Sequence, residues 1–492
     1  MPISSYDIVI GLEVHCQVKT NTKMFCSCAT GFGAQVNTNT CPVCLGLPGA
    51  LPVINHEAVK KTLIAGHMLG CHPPKISKWD RKNYFYPDMP KNYQTTQLDL
   101  PLCIDGEVPL YAHNYPKESV KDIDPNKPVI KLDHIHLEED VAKSTHFNQH
   151  SLIDFNRAGT PLMEIVTMPD IETPEQAVSY LKSLQQILIY GGISDADMEK
   201  GQLRCDVNVS LKPKGQVKFG EKIELKNLNS ITAVRKSLYY EINRQAQELD
   251  AGIAQIQSTR RWDDELGETQ LMRTKENADD YRYFSCPDLL PIATEPFMEE
   301  VKSLCPELPH HKQQRFITDF KLNDYDASIL CSERSIADFF ELSLEQGAGI
   351  EPKKIANWII NELMSLINKD NLSITQCVIT PTHIAGLARL VQDNICSNNQ
   401  AKEVLQALAD SPEKTAEAVA KELGFEAASA GDNAELESII AGLLADNPDK
   451  VAEIKGGNTK AANWFTGQVM KASQGKANPK IISQTIMSQL GL

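Results

Sequence analysis

The feature that most constrains the fold is a proline-rich segment in the second half of the chain. Five prolines fall within a short stretch: Pro287, Pro291, Pro296, Pro306 and Pro309. Proline lacks a backbone N–H and interrupts both helices and central strands, so this stretch predicts a domain boundary. Strand-like and helical patterns alternate before it, whereas the patterns after it are almost wholly helical. The sequence therefore predicts an α+β chain with a mixed domain over 1–293, a helical domain over 294–405 and a small helical tail over 406–492.

The mixed domain contains one helix with clear start and stop signals. Thr173, Pro174 and Gln176 form a capping-box pattern with proline at the first helical position, and apolar residues follow at helical spacing. Gly191 and Gly192 then predict its end.

Composition limits the class of protein. No run of apolar residues is long enough to cross a membrane, and no basic or apolar leader precedes the first strand-like segment, so we expect a cytoplasmic protein without membrane contact. Thirteen cysteines, an odd number spread over 492 residues, favour free thiols over a disulfide framework. The net charge of −15 argues against binding driven by phosphate attraction alone, although residues 454–492 contain lysines and no acidic residue.

Four cysteines are clustered with the spacing C-x-C-x12-C-x2-C: Cys26, Cys28, Cys41 and Cys44. Two close thiolate pairs joined by a loop rich in turn-forming residues can close a tetrahedron around zinc. Four protein ligands leave no open position, which indicates a structural metal. Two alternatives are four unrelated buried cysteines and a redox pair at Cys41 and Cys44, but the redox pair leaves Cys26 and Cys28 unexplained.

Several predicted strands carry acidic and polar side chains at alternate positions, which place them on one face. Carboxylate oxygens with one imidazole suit Mg²⁺, and nearby cations could stabilise the charge of a transferring phosphoryl group. The alternative is an ordinary solvated sheet face. The acidic and polar residues of this pattern are Glu13, His15, Glu138, Glu139, Asp154, Asn156, Asp206, Asn208, Ser210, Glu224 and Asn227, and the cations are Arg157, Arg204 and Lys226.

Aromatic and basic residues are interleaved in further stretches at 79–88, 260–262 and 280–284, with Met272 and Arg273 between the last two. This mixture suits an unpaired RNA end, where bases stack on rings and phosphates pair with arginine. A packed cluster with cation–π contacts explains the same pattern equally well.

At these positions the chain resembles the GatB/GatE family, the GatB-type subunits of heterotrimeric tRNA-dependent amidotransferases. The segments that carry the resemblance are GLEVHCQ at 11–17, TNTCPVCLGLPG at 38–49, RKNYFYPDMPKNYQ at 81–94, HLEEDVAK at 136–143, DFNRAGTPLMEIVTMPD at 154–170, MEKGQLRCDVNVS at 198–210, DYRYF at 280–284 and the YqeY-like tail segment at 457–479. They are long and specific, and together they cover nearly the whole chain. The resemblance implies a "cradle" domain with a mostly antiparallel sheet, followed by the helical domain and a YqeY-like tail.

The resemblance also implies the reaction. ATP phosphorylates the side-chain carboxylate of misacylated Glu-tRNA(Gln) or Asp-tRNA(Asn), and ammonia from a GatA-type glutaminase subunit then forms the amide, with a GatC-type small subunit completing the heterotrimer. The implied Mg²⁺ ligands are Glu13, His15, Glu138 and Glu139, with Asp206 a further one. Lys82 and Lys91 resemble residues of an ammonia channel. The tail is expected to contact tRNA, and its lysines are Lys460, Lys471, Lys476 and Lys480.

The remaining assignments follow from this chemistry. Arg157, Arg204 and Lys226 are expected to act in catalysis, and the other polar residues of the face to bind ATP or substrate. No amidase signature or papain-like Cys/His set is visible that could hydrolyse glutamine, so the glutaminase is expected on another chain. Two other functions are a non-catalytic tRNA-binding scaffold and a free-standing ATP-grasp type ligase acting on a small molecule.

Overall fold

The computed structural model describes residues 5–274, 280–369, 372–425, 430–455, 460–472 and 479–491, without the side chains of 122, 430–435, 460, 461, 470 and 479–481. The chain divides into two compact units, Met1–Leu308 and Pro309–Leu492. No helix in these ranges has the length and apolar character needed to span a bilayer.

The first unit contains sixteen strands and four α-helices among its described residues. The strands are β1 (Tyr6–Gln17), β2 (Ile76–Ser77), β3 (Asp80–Asn83), β4 (Tyr93–Thr96), β5 (Cys103–Ile104), β6 (Glu107–Pro109), β7 (Val129–Glu139), β8 (Lys143–His146), β9 (Ser151–Asp154), β10 (Pro161–Thr167), β11 (Leu203–Pro213), β12 (Ile223–Lys226), β13 (Ser258–Asp263), β14 (Glu268–Thr274), β15 (Phe284–Ser285) and β16 (Ile292–Ala293). The helices are α1 (His56–Met68), α2 (Pro174–Tyr190), α3 (Ile231–Asp250) and α4 (Glu295–Leu304).

A nine-stranded sheet organises this unit. Its strand order is β14-β13-β12-β11-β1-β10-β7-β5, with β6 also paired to β7. All of the pairings are antiparallel except that between β12 and β13. The predicted α+β class with a mostly antiparallel sheet is confirmed.

One face of the sheet forms the core. Alternate residues of β1, among them Leu12 and Val14, are buried with Val207 of β11 and Ile165 of β10. Helices α1, α2 and α3 contribute to the same core through residues such as Leu63, Leu184 and Leu238. Because side chains alternate between the faces of a strand, the residues between these apolar positions point to the opposite face.

The predicted capping of α2 is confirmed. Thr173 Oγ1 accepts a hydrogen bond from the Gln176 N–H at 3.1 Å, and the Gln176 side chain accepts one from the Thr173 N–H at 3.2 Å. The helix ends at Tyr190, immediately before Gly191.

The second unit is helical throughout its described residues. Its α-helices are α5 (Pro309–Phe320), α6 (Asp324–Leu330), α7 (Arg334–Gln346), α8 (Pro352–Asn357), α9 (Met364–Lys369), α10 (Pro381–Gln392), α11 (Asn398–Asp410), α12 (Ala416–Glu422), α13 (Ala430–Asp446), α14 (Pro448–Lys455), α15 (Lys460–Ala472) and α16 (Pro479–Leu490). A π-helical segment, Trp358–Leu363, joins α8 to α9.

The unit boundary lies later than the sequence suggested. We expected the first domain to end at residue 293, yet Val301 of α4 is buried in the core of the first unit. Within the second unit, Ile440, Phe465 and Ile482 belong to a separate apolar cluster. That cluster agrees with a tail domain, but the division into a helical domain and a tail stays a prediction.

Candidate functional site

The polar face of the nine-stranded sheet carries a row of charged side chains. His15 on β1 lies opposite Arg204 on β11 and opposite Glu164 on β10, and Glu164 in turn lies opposite His136 on β7. Cross-strand partners point to the same face, so these four side chains form one row across four neighbouring strands. Glu13 and Asp206 form the next row by the same pairing.

Three members of this row and Glu138, two residues after His136 on β7, converge on the polar face, and we call them the acidic cluster: His15, His136, Glu138 and Glu164. His15 Nε2 lies 3.2 Å from Glu164 Oε2 and 4.0 Å from Glu138 Oε1. His136 Nε2 lies 3.3 Å from Glu164 Oε2 and 3.6 Å from Glu138 Oε2. Ligand atoms of His15, Glu138 and Glu164 all lie within 4.8 Å of one another, a spacing that a single cation can bridge.

The charges of the acidic cluster depend on one another. Burial lowers the pKa of His136, but hydrogen bonds to Glu138 and Glu164 outweigh burial and raise that pKa to about 10. Burial likewise opposes the Glu164 charge, yet hydrogen bonds from His136 and His15 hold the pKa of Glu164 well below its usual value. The raised pKa of His136 therefore lets its imidazolium offset part of the carboxylate charge.

The predicted metal-ligand set is only partly assembled. His15 and Glu138 belong to the acidic cluster, and Glu164, which we did not predict, is the third group of ligand type. Glu13 Oε1 accepts a hydrogen bond from Asn208 Nδ2 at 2.8 Å in the neighbouring row. A glutamate in the middle of the apolar strand Pro161–Thr167 was the signal available for Glu164.

Glu139 does not join the acidic cluster. Strand β7 continues through Glu139, so alternation turns this side chain away from the face that carries Glu138. Its carboxylate forms an ion pair with Lys91 and accepts a hydrogen bond from the Thr95 N–H at 2.9 Å.

Asp140 binds the two predicted catalytic arginines. The residue is 1% exposed, and its Oδ1 atom lies 3.0 Å from Arg204 Nη2. Its Oδ2 atom accepts a hydrogen bond from Gln17 Nε2 at 3.0 Å and lies 3.6 Å from Arg157 Nε. The Arg157 guanidinium also donates to the carbonyls of Val141 and Ala142, at 2.9 Å each. The three consecutive acids Glu138, Glu139 and Asp140 thus contact three different sets of side chains.

Lys226 occupies the other end of the polar face. Its ammonium lies 2.6 Å from Asp206 Oδ2 and 3.1 Å from Glu224 Oε1. Burial lowers the pKa of Lys226, but the two carboxylates raise it more, so its net shift is upward. Asp206 is therefore an ion-pair partner of Lys226 and lies outside the group with ligand spacing.

Some residues assigned to ATP or substrate also make hydrogen bonds that hold local structure. Asp154 Oδ1 accepts from the Asn37 N–H at 3.1 Å, and Asn156 Oδ1 accepts from the Asn39 N–H at 2.8 Å. Asn227 follows β12 with a positive φ of 66°, and its Nδ2 donates to the carbonyl of Trp262 on the neighbouring strand β13 at 3.0 Å. Asn208 and Ser210 remain on the polar face, where Ser210 is buried.

The four clustered cysteines form a compact site that we call the knuckle. Sulfur atoms of Cys26, Cys28, Cys41 and Cys44 all lie within 4.8 Å of one another, and none is in a disulfide. The fully buried Lys23 donates from Nζ to Cys44 Sγ at 3.5 Å and to the Phe155 carbonyl at 3.2 Å. Hydrogen bonding from Cys26 and the charge of Lys23 lower the pKa of Cys44 to about 4.

A cavity of about 1140 Å³ adjoins the row at Arg204. Residues of the knuckle loop and of 154–160, 194–204 and 228–229 contribute to its lining. Five cations and three acids line it: Lys19, Lys143, Arg157, Lys200 and Arg204, with Asp154, Asp195 and Glu199. This excess of positive charge suits a ligand that carries phosphate.

The two predicted channel lysines lie beside different glutamates. Lys91 pairs with Glu139, whereas Lys82 Nζ lies 4.8 Å from the centroid of the Tyr281 ring. Burial lowers the pKa of Lys82, but the charges of Glu138 and nearby groups outweigh this and leave it raised.

Part of the aromatic and basic pattern proves to be packed. The Arg81 guanidinium lies 4.2 Å from the Tyr93 ring centroid and forms an ion pair with Asp288. Here the cation–π alternative describes the contacts that are present.

The predicted tRNA-binding lysines can be placed only in part. Lys471 is exposed near the end of α15. Lys476 and the side chains of Lys460 and Lys480 lie outside the described residues.

The comparisons with known proteins agree with this geometry. Residues 8–299 match the family described as the GatB/GatE catalytic domain, and residues 338–490 match the one described as the GatB domain. The chain is similar to proteins named as the B subunits of aspartyl/glutamyl-tRNA(Asn/Gln) amidotransferases. It is 44% identical to that of Persephonella marina and 46% identical to that of Methylacidiphilum infernorum, with 99% of both chains covered in each case. It is 45% identical to that of Opitutus terrae, with 98% of both chains covered. Relatives this similar over their full length show that the chain belongs to the GatB/GatE family of tRNA-dependent amidotransferase subunits.

Proposed function

We propose that this chain is the transamidation subunit that activates misacylated Glu-tRNA(Gln), Asp-tRNA(Asn) or both. In this reaction the side-chain carboxylate attacks the γ-phosphoryl group of ATP, which releases ADP and forms an acyl phosphate. Ammonia then displaces phosphate and leaves the amide. A carboxylate does not accept ammonia directly because oxide is a poor leaving group, so phosphorylation supplies a good one.

The acidic cluster is the observation that carries this proposal. One imidazole and two carboxylates at ligand spacing fit a divalent cation such as Mg²⁺, and a carboxylate-rich set is the kind that this ion prefers. His15, Glu138 and Glu164 would hold it. A bound divalent cation would offset the repulsion between the phosphates of ATP and the substrate carboxylate.

The cations around the cluster have roles that follow from their positions. Arg157 and Arg204 are oriented by Asp140 and line the cavity, so they can face phosphate oxygens of ATP or RNA. Lys82 is influenced by the charges of Glu138 and Glu164, and we assign it to the path by which ammonia reaches the cluster. Because an acyl phosphate is prone to hydrolysis, this approach has to exclude water.

The remaining parts of the proposal concern the partner subunits, the tRNA and a structural metal in the knuckle. We propose that a GatA-type glutaminase supplies the ammonia, that a GatC-type small subunit completes the heterotrimer and that the lysine-containing tail contacts tRNA. We also propose that the knuckle holds structural Zn²⁺, since four sulfurs at mutual ligand spacing are the donors that this ion prefers.

Turnover in the reconstituted heterotrimer tests the proposal. The complex is supplied with ATP, glutamine and each misacylated tRNA, and both ADP and amidated aminoacyl-tRNA are measured. The proposal requires ADP release that depends on the misacylated tRNA and matches amide formation. A non-catalytic scaffold would give no such ADP release, and turnover on free glutamate by the lone chain would instead favour a small-molecule ligase.

A further inference from the structure

One large aromatic side chain on the cavity wall has no role in the chemistry described so far. Phe32 is 74% exposed and lines the cavity together with Arg157 and Arg204. Isolated exposed aromatic residues are common, so exposure alone says little. Its position at the edge of a cation-lined cavity is what distinguishes it.

The chain presents this ring on a narrow turn. Phe32 stands between Gly31 and Gly33, and Gly33 has a φ of 80°, a conformation that favours glycine. A Cβ placed on either glycine would have no neighbour within 4 Å, so nothing packs over the turn. The ring is therefore accessible to a ligand that enters the cavity.

The loop that carries Phe32 is anchored at both ends. Cys28 and Cys41 of the knuckle bracket it. Beyond the turn, the backbone N–H groups of Asn37 and Asn39 donate to Asp154 and Asn156, and Asn156 Nδ2 donates to the Gln35 carbonyl at 2.7 Å. Anchoring of this kind lowers the entropy that is lost when the ring orders against a ligand.

Phe32 shares the cavity with groups that suit phosphate. Lys143 lines the same cavity and has no ion-pair partner among the described residues, so its charge is available to a ligand. The guanidiniums of Arg157 and Arg204 line it as well. An exposed ring beside several cations is the arrangement by which proteins hold unpaired nucleotides, with the base stacked and the phosphate paired.

We propose that Phe32 is a stacking platform for an unpaired nucleotide base in this cavity, and that the knuckle fixes its position. The inference rests on the proposed function, which brings such bases to the site from two sources: ATP and the 3′ end of the tRNA. The chemistry of stacking is common to both sources. A metal held by the four cysteines of the knuckle would take no part in the reaction, but by fixing the loop it would affect the affinity for one substrate.

Three variants of the heterotrimer test the proposal: Phe32→Ala, Phe32→Trp and the control Phe219→Ala. Phe219 is 55% exposed and is not among the residues that line the cavity, so its loss should not affect the reaction. Amidation kinetics are measured at varied misacylated tRNA with saturating ATP, and at varied ATP with saturating tRNA. Zinc content and glutamine hydrolysis are measured for each variant as checks on folding.

We expect Phe32→Ala to raise one of the two KM values by about tenfold, with kcat changed by less than about twofold, as loss of one stacked base predicts. Phe32→Trp should restore that KM. A raised KM for tRNA assigns the base to the RNA end, and a raised KM for ATP assigns it to the nucleotide.

The proposal is overturned if both KM values of Phe32→Ala equal those of wild type, or if Phe32→Trp and Phe32→Ala are equally impaired. The proposed function fails differently, because wild type itself would then release no ADP in response to misacylated tRNA. The two failures are therefore distinguishable in one set of assays.

Discussion

The knuckle and the acidic cluster are both suited to metal ions, but they are built in opposite ways. The knuckle draws four sulfurs from a single segment of chain between Cys26 and Cys44. The acidic cluster draws its groups from three strands, β1, β7 and β10, and depends on their register. Four sulfurs fill a tetrahedral ion, whereas one imidazole and two carboxylates leave positions for water and phosphate. The comparison supports the proposal that the knuckle is a structural site and the acidic cluster a catalytic one within the same unit.

The comparison predicts its largest effect at the acidic cluster. Replacing Glu138 by Gln keeps the shape of the side chain and removes its charge, so we expect amidation to fall about 1,000-fold or more while the melting temperature changes little. The measurement is single-turnover amide formation by the heterotrimer. Glu107→Gln, a change at an exposed position of β6, should retain full activity. Equal activity in the two variants would remove Glu138 from the site.

At the knuckle we expect the opposite pattern, with stability affected first. Cys41→Ser removes one of four zinc ligands, and because structural zinc contributes directly to folding, we expect the ion to be lost and the melting temperature to fall by about 10 °C or more. Elemental analysis and calorimetry measure the two effects. Cys305→Ser, which changes a half-buried thiol outside the knuckle, is the matched control. Wild-type protein purified without zinc would contradict the assignment.

Asp140 contacts Arg157 and Arg204 beside the acidic cluster without belonging to it, and we expect an intermediate effect there. Asp140→Asn removes the charge that orients Arg157 and Arg204, so we expect kcat/KM for misacylated tRNA to fall about 10- to 100-fold. Asp99→Asn, which weakens an exposed ion pair with Lys78, should change it by less than about twofold. Unchanged kinetics in Asp140→Asn would show that the arginines do not need this anchor.

The smallest effect is expected at Lys23, whose ammonium contacts the knuckle from its buried side. Lys23→Met fills the same space but removes the hydrogen bond to Cys44, so we expect zinc affinity to fall about tenfold. Competition with a chelator measures this affinity. Lys60→Met, which removes a lysine paired with Glu57 and Glu300 on the surface, serves as the control. A zinc affinity equal to wild type would leave Lys23 with a packing role only.

The sequence predicted the knuckle better than the acidic cluster because the two sites are built differently. The knuckle ligands are close along the chain, so spacing alone brought all four together. The acidic cluster depends on which residues face each other across strands, and Glu164 was missed because the sequence does not show that β10 lies between β1 and β7. Glu139 was grouped with Glu138 because both belong to the segment HLEEDVAK at 136–143 that carries the family resemblance. Alternation along β7 separates the two.

The fold was more accessible to prediction than the site. The proline-rich segment and the change from mixed to helical patterns predicted a mixed region followed by a helical one. Capping residues predicted the bounds of α2. The first unit extends past residue 293 because Val301 is buried in its core, a tertiary contact that local patterns do not reveal. Local patterns likewise do not reveal that Asp154 and Asn156 accept hydrogen bonds from the knuckle loop, because the two segments are far apart in the chain.

The most direct test of the central claim is binding of Mn²⁺, a paramagnetic substitute for Mg²⁺, to the heterotrimer. Electron paramagnetic resonance measures it for wild type and for Glu164→Gln, with zinc content determined in the same samples. We predict that wild type binds Mn²⁺ and that Glu164→Gln loses this binding while its zinc content is unchanged. Equal Mn²⁺ binding by the two proteins would contradict the assignment of the acidic cluster as the cation site.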